Sequence, residues 1–199
     1  MQDFKTVKVA AVNPNVKFTD IANHWARADI ERAVKNGYVG GYSDGTFKPN
    51  ASITRAEFIT LFVRATKLQP QTTPKATFTD VPGSFWASDA INTAVAMGVL
   101  NPNSIGTKFN PNVALSRGDV AKWFGTALMQ SNVEFKKAYA DTLDTLLPFT
   151  EDQRGLIPEV MVPYLALVRG TQLMGGNPGG KFGIGNATTR AEMVTMLYR

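Results

Sequence analysis

The sequence predicts a mainly α-helical domain made of three helix–loop–helix repeats packed around a pseudo-threefold axis. Three observations predict it. A tetrapeptide recurs as Thr54-Arg55-Ala56-Glu57, Ser116-Arg117-Gly118-Asp119 and Thr189-Arg190-Ala191-Glu192, with its arginines 62 and 73 residues apart. A phenylalanine stands eight residues before each arginine, at Phe47, Phe109 and Phe182. Apolar residues on both sides of the loop that carries these marks recur at helical spacing.

Residues 1–17 match no repeat and are read as an N-terminal arm, with a flexible tail or a strand both open. The first repeat covers 18–68 and opens on Phe18-Thr19-Asp20-Ile21. Its first helix carries Trp25, Ala26, Ile30, Ala33 and Val34 along one face, and Gly37 stands where a left-handed C-terminal cap is expected. A turn-rich loop through Gly40-Gly41-Tyr42-Ser43-Asp44-Gly45 leads to the tetrapeptide, which starts a second helix burying Phe58, Ile59, Phe62 and Ala65. The linker at 69–76 holds two prolines.

The second repeat, 77–130, follows the same plan. It opens on Phe78-Thr79-Asp80-Val81, continues through Trp86, Ala87, Ala90, Ile91, Ala94 and Val95 to Gly98, and buries Val120, Trp123, Phe124 and Ala127 in its second helix. The third repeat, 138–199, is divergent. Tyr139-Ala140-Asp141 is taken as its opening, which puts 49 residues between that aspartate and Arg190, against 35 and 37 in the other repeats, so an insertion is expected around 143–158. Gly170 is the expected cap glycine, and Met193, Val194, Met196 and Leu197 the buried face. One two-helix unit cannot bury these faces alone, so the repeats must pack on one another.

Composition agrees with a globular chain and narrows its chemistry. Of 199 residues, 44% are hydrophobic, which is enough for a core. There is no cysteine and a single histidine, His24, which excludes disulfides, thiolate chemistry and two-histidine metal sites. No metal or other cofactor is expected. No stretch reaches the roughly 18 apolar residues that span a bilayer, and the opening Met1-Gln2-Asp3-Phe4-Lys5 has no apolar run of a signal peptide. The net charge of +5 favours an anionic partner, and without a basic cluster or an aromatic–basic platform that partner is not nucleic acid.

The tetrapeptide divides into two jobs. Thr or Ser followed three residues later by Glu or Asp, ahead of an apolar run, is a capping box, which assigns Thr54 with Glu57 and Thr189 with Glu192 to the helix start. The arginine between them lies in a first turn, where the helix dipole disfavours a cation. Two readings compensate that penalty: the arginine and the free N–H groups of the helix start receive an anion together, or it pairs with a neighbouring acid such as Asp20, Asp80 or Asp141. Trp25 and Trp86 are read as core plugs, with stacking on a sugar ring as the alternative. His24 is read as a solvated or capping residue. The sequon matches at Asn50 and Asn186 are read as turns.

Together these residues resemble the S-layer homology family: Phe-x-Asp, then His-Trp-Ala or Phe-Trp-Ala, then Gly-Tyr-Ser-Asp-Gly-Thr-Phe-Lys-Pro-Asn and Ile-Thr-Arg-Ala-Glu. The first repeat matches along its whole length. The second matches with Leu-Ser-Arg-Gly-Asp in the end motif, and the third keeps Thr-Thr-Arg-Ala-Glu but lacks the tryptophan and the Phe-x-Pro. The resemblance implies a three-pronged domain whose inter-repeat grooves hold an anionic secondary cell-wall polysaccharide, often at a pyruvylated amino-sugar. Carried onto this chain, it names Asp20, Trp25 and Arg55, then Asp80, Trp86 and Arg117, then Asp141 and Arg190. It implies a non-enzymatic module outside the cell, anchoring a secreted protein or surface-layer subunit to the bacterial wall, with no membrane insertion. Peptidoglycan anchoring and self-association within a surface layer stay open as alternatives.

Overall fold

Each repeat begins with a short amphipathic helix that ends where the chain turns left-handed. In the computed structural model, which describes residues 17–67, 78–131, 133–141, 147–149 and 155–198, α1 (Arg27–Lys35) buries Ile30, Ala33 and Val34. Its counterpart α3 (Ser88–Ala96) buries Ile91 and Ala94. Gly37 and Gly98 follow at φ 76° and 72°, as expected of cap glycines. The third repeat departs from this. Gly170 is the last residue of its own helix, α7 (Val162–Gly170), and Gln172 takes the left-handed position at φ 61°.

The second helices are α2 (Arg55–Ala65), α5 (Arg117–Ser131) and α8 (Arg190–Met196), each starting at the motif arginine. A short helix, α4 (Pro102–Ile105), lies in the loop of the second repeat. The capping boxes of α2 and α8 are complete, with the threonine hydroxyl accepting from the glutamate N–H and the glutamate accepting from the threonine N–H. The second helix of each repeat packs on the first helix of the next: α2 on α3, α5 on α7, and α8 back on α1. That cycle is the pseudo-threefold arrangement.

At its centre the three segments ahead of the second helices close a backbone ring. Ile53 donates to the Thr188 carbonyl, Thr188 to Leu115 and Leu115 to Ile53, each at 2.9 Å. Isolated antiparallel bridges Ser52–Thr189, Thr54–Ala114 and Ser116–Ala187 flank the ring. Ile53, Leu115 and Thr188 are buried. The Thr188 hydroxyl there has no hydrogen-bond partner among the described residues.

The third repeat opens later than the sequence suggested. Phe149 packs against Phe182 with tilted rings, centroids 5.2 Å apart, matching the tilted pairs Phe18–Phe47 and Phe78–Phe109 at 5.4 Å. Tyr139 and Asp141 instead belong to an extra helix, α6 (Val133–Asp141), which packs against α5 and α7 with Tyr139 against Tyr164. Measured from Phe149, the distance to Arg190 is 41 residues, close to the 37 and 39 of the other repeats. The extra length therefore joins repeats two and three rather than interrupting the third. The expected arm up to residue 16, the linker and most of the expected insertion lie outside the described residues.

Candidate functional site

The three junctions between repeats bring the motif arginines to equivalent places. Each arginine reaches forward into the next repeat of the cycle and donates Nε–H to the carbonyl of its phenylalanine: Arg55 to Phe109, Arg117 to Phe182 and Arg190 to Phe47, at 2.8 to 2.9 Å. The guanidinium lies over the ring of the same phenylalanine, at 4.9, 4.9 and 4.7 Å from the centroids.

The helix N-termini carrying these arginines are not open to a ligand. In α2 the N–H groups of Arg55 and Ala56 donate to the carbonyls of Val113 and Pro111, and α5 and α8 repeat the pattern onto Asn186 and Ile184, and onto Ala51 and Pro49. The third N–H is taken by the Thr or Ser hydroxyl. The expectation that a helix start and its arginine together receive an anion therefore fails in its backbone half. These donors knit one repeat to the next.

The pairing expectation also needs correction, because the opening aspartates are occupied. Asp20 accepts from the N–H groups of Phe47 and Lys48 at 2.9 and 2.7 Å, and Asp80 from Phe109 and Asn110 at 2.8 and 2.7 Å. Both oxygens hold the loop at its left-handed residue, Lys48 or Asn110, each at φ 56°. Gly183, at φ 72°, fills the same place in the third repeat. Asp141, exposed at the end of α6, is not brought to this loop.

The arginines meet a different acid, the last residue of the next repeat's tetrapeptide. Glu57 uses Oε2 to cap its own helix, accepting from the Thr54 N–H and hydroxyl, and turns Oε1 across the junction to Arg190 Nη1 at 2.8 Å. Glu192 caps in the same way and lies 3.7 Å from Arg117 Nη1. Asp119 accepts from the Ser116 hydroxyl at 2.8 Å. Being one methylene shorter, it forms no ion pair with Arg55.

The junctions therefore differ. Arg190 is buried, with Nη2 donating to the Gly40 carbonyl at 3.0 Å and the guanidinium 4.9 and 4.7 Å from the Tyr42 and Phe47 ring centroids. The Tyr42 hydroxyl donates to Glu57 Oε1 at 3.1 Å, and burial, the largest cause, pushes its pKa above the ordinary value. Arg117 gives Nη2 to the Gly175 carbonyl at 2.8 Å. Beside that carbonyl is an open cleft of about 540 Å³ lined by Arg169, Gly170, Gln172, Met174 and Gly175. Arg55 sits half-buried against Phe109 and Trp123, whose rings stack on each other with centroids 6.2 Å apart. Burial lowers its pKa, with Asp119 and Asp80 opposing, and its two Nη groups have no hydrogen-bond or ion-pair partner among the described residues.

The tryptophans also part company. Trp25 is 67% exposed, not a core plug, while Trp86 is half-buried against Phe85. Trp25 lies in the turn before α1 with its ring 5.4 Å from that of His24. His24 Nδ1 accepts from the Ala26 N–H at 3.2 Å and Nε2 lies 3.1 Å from Asn50 Oδ1, a capping role. In the third repeat Val160, two residues before α7, takes the tryptophan's place and is 66% exposed. Among the described residues no three His, Asp or Glu side chains converge as a metal site, and no helix is long and apolar enough to cross a membrane.

Comparison with known proteins places the same three units in one family. The model described as S-layer homology domain matches residues 17–59, 77–121 and 157–194. The chain is 47% identical over 68 residues to a cellulosome-anchoring protein of Acetivibrio thermocellus, covering 34% of this chain and 15% of that protein. It is 31% identical over 115 residues to an S-layer protein of Bacillus licheniformis, covering 56% and 13%. With an amylopullulanase of Thermoanaerobacterium thermosulfurigenes it shares 26% over 189 residues, covering 95% of this chain and 10% of the enzyme. The chain thus spans only 10% to 15% of these relatives' lengths.

Proposed function

The chain belongs to the S-layer homology family, and from that membership we propose that it anchors a larger extracellular protein to the bacterial cell wall by holding an anionic secondary cell-wall polysaccharide between its repeats. The observation that carries the reading is Arg55. A half-buried guanidinium with no described ion-pair partner, lying against the stacked rings of Phe109 and Trp123, suits a sugar bearing a carboxylate such as a pyruvate ketal. The carboxylate oxygens would accept from the Nη donors in a two-pronged pair.

The exposed Trp25 offers a stacking surface for a sugar ring, and the net charge of +5 favours a polyanion at long range. The names of the relatives, a cellulosome-anchoring protein and an S-layer protein, support the placement at the cell surface. The amylopullulanase match covers a tenth of that enzyme, so no activity is carried over from its name. The module is read as non-catalytic: its best-placed carboxylates, Glu57 and Glu192, are committed to helix caps and to the motif arginines.

Sedimentation with purified cell walls tests the reading. Arg55→Ala should lower wall binding at least tenfold while the far-UV CD spectrum stays unchanged, and walls stripped of their secondary polymer with hydrofluoric acid should lose the chain. Full binding to stripped walls would overturn the reading in favour of peptidoglycan.

A further inference from the structure

The acid that ends each tetrapeptide has two possible duties, and its length decides whether it performs the second. Glutamate caps its own helix with one oxygen and extends the other across the junction. It reaches Arg190 at 2.8 Å from Glu57, and stands 3.7 Å from Arg117 at Glu192. Aspartate at 119 performs the cap, with Oδ2 on the Ser116 hydroxyl at 2.8 Å. It leaves Arg55 without an ion pair, although its charge is close enough to act on that guanidinium.

Resting on the reading above, we propose that the residue at this position is the specificity-determining gate of each junction. Aspartate at 119 leaves the junction between repeats one and two open to an anionic sugar. Glutamate at 57 closes the junction between repeats three and one from within. The junction between repeats two and three stands between them, as its longer ion pair indicates.

The physical basis is competition for one guanidinium. A carboxylate already held beside Arg190 in a buried setting, with Tyr42 and the Gly40 carbonyl completing the shell, must be displaced before a ligand carboxylate can bind. Arg55 requires no such displacement, and a ligand anion there replaces lost solvation instead of a protein partner. The three junctions share one architecture but not one affinity, and the difference is a single methylene.

Titration calorimetry on the whole chain tests this with a short oligosaccharide ending in a pyruvylated N-acetylhexosamine, and with its unpyruvylated counterpart. Asp119→Glu should weaken binding of the pyruvylated probe at least tenfold with an equal or higher Tm, because the new carboxylate takes Arg55. Asp119→Asn, which keeps the length and removes the charge, should bind as well as the natural chain or more tightly. If Asp119→Glu binds like the natural chain while Arg55→Ala does not bind, the gate is wrong and the anchoring site stands. If Asp119→Asn loses binding as Asp119→Glu does, the residue acts through the helix cap and the gate is again wrong. A natural chain that does not distinguish the two probes overturns the gate and the pyruvylated ligand together.

Discussion

Arg190 of the last repeat and Glu57 of the first meet at 2.8 Å with side chains 6% and 15% exposed, closing the cycle of repeats on itself. This ion pair joins residues 133 positions apart, so it couples the two ends of the domain more directly than any local contact. Removing one member leaves the other charged and buried, which costs about 3 to 5 kcal/mol. Arg190→Ala should therefore lower chemical-denaturation stability by that amount. Arg55→Ala, which loses one hydrogen bond to the Phe109 carbonyl from a half-buried site, should cost on the order of 1 kcal/mol. Equal losses would show that the junctions do not differ as described.

The repeat itself was legible in the sequence because its signals are local. A hydroxyl, an acid three residues on and an apolar stripe fix a helix start wherever they occur, and α2, α5 and α8 begin where those residues stand. The arginine's partner was not legible, since both oxygens of Asp20 and Asp80 are spent on loop N–H groups and the true partner comes from another repeat. Trp25 lies in the turn before α1, where helical spacing does not set the direction of a side chain: Ala26 in the same turn is buried and Trp25 is not. The opening of the third repeat was hidden by α6, whose Tyr139-Ala140-Asp141 imitates the motif. The phenylalanine pairing was the available signal: Phe149 precedes Phe182 by 33 residues, against 29 and 31 in the other repeats.

Thr188 breaks the apolar pattern of the central ring. Its equivalents are Ile53 and Leu115, and its hydroxyl is buried without a partner among the described residues. An unsatisfied buried hydroxyl costs about 1 to 3 kcal/mol, and valine replaces the hydroxyl by a methyl at nearly the same volume. Thr188→Val should raise stability by about 1 kcal/mol, read as a shift of the urea midpoint at constant m value. A lower midpoint would mean that the hydroxyl is satisfied in solution.

Tyr42 provides a test by pH. Its hydroxyl donates to Glu57 only while protonated, and its folded pKa is raised, chiefly by burial. A raised folded value means that the contribution is fully present below the ordinary tyrosine pKa of about 10 and is lost as pH climbs through the folded value. The stability difference between the natural chain and Tyr42→Phe should therefore shrink or reverse above about pH 10. A difference independent of pH from 8 to 11 would place the hydroxyl in water.

Equivalent positions with different residues allow a paired test of backbone strain. Gly37 and Gln172 both follow a first helix in the left-handed region, at φ 76° and 61°. A Cβ at Gly37 would meet nothing within 4 Å, so only the backbone conformation opposes a side chain there. Gly37→Gln should cost about 1 kcal/mol, and Gln172→Gly should recover a few tenths to 1 kcal/mol, the gain reduced by the greater freedom of glycine in the unfolded chain.

Gly118 is the third repeat's imprint on the second. Ala56 and Ala191 occupy its place in the other repeats and donate to the carbonyls of Pro111 and Pro49, whereas Gly118 donates to Ile184. A Cβ on Gly118 would come within 2.7 Å of the Ile184 side chain and 3.0 Å of its carbonyl oxygen. The loss of Phe-x-Pro in the third repeat is thus matched by the loss of a methyl across the junction. Gly118→Ala should destabilise the domain by about 1 kcal/mol, the overpacking cost of about 1 to 3 kcal/mol exceeding the helix propensity that alanine adds. Combined with Ile184→Pro it should recover most of that loss, because the pair restores the contact made at the other two junctions. A double-mutant cycle with no coupling between the two sites would refute the compensation.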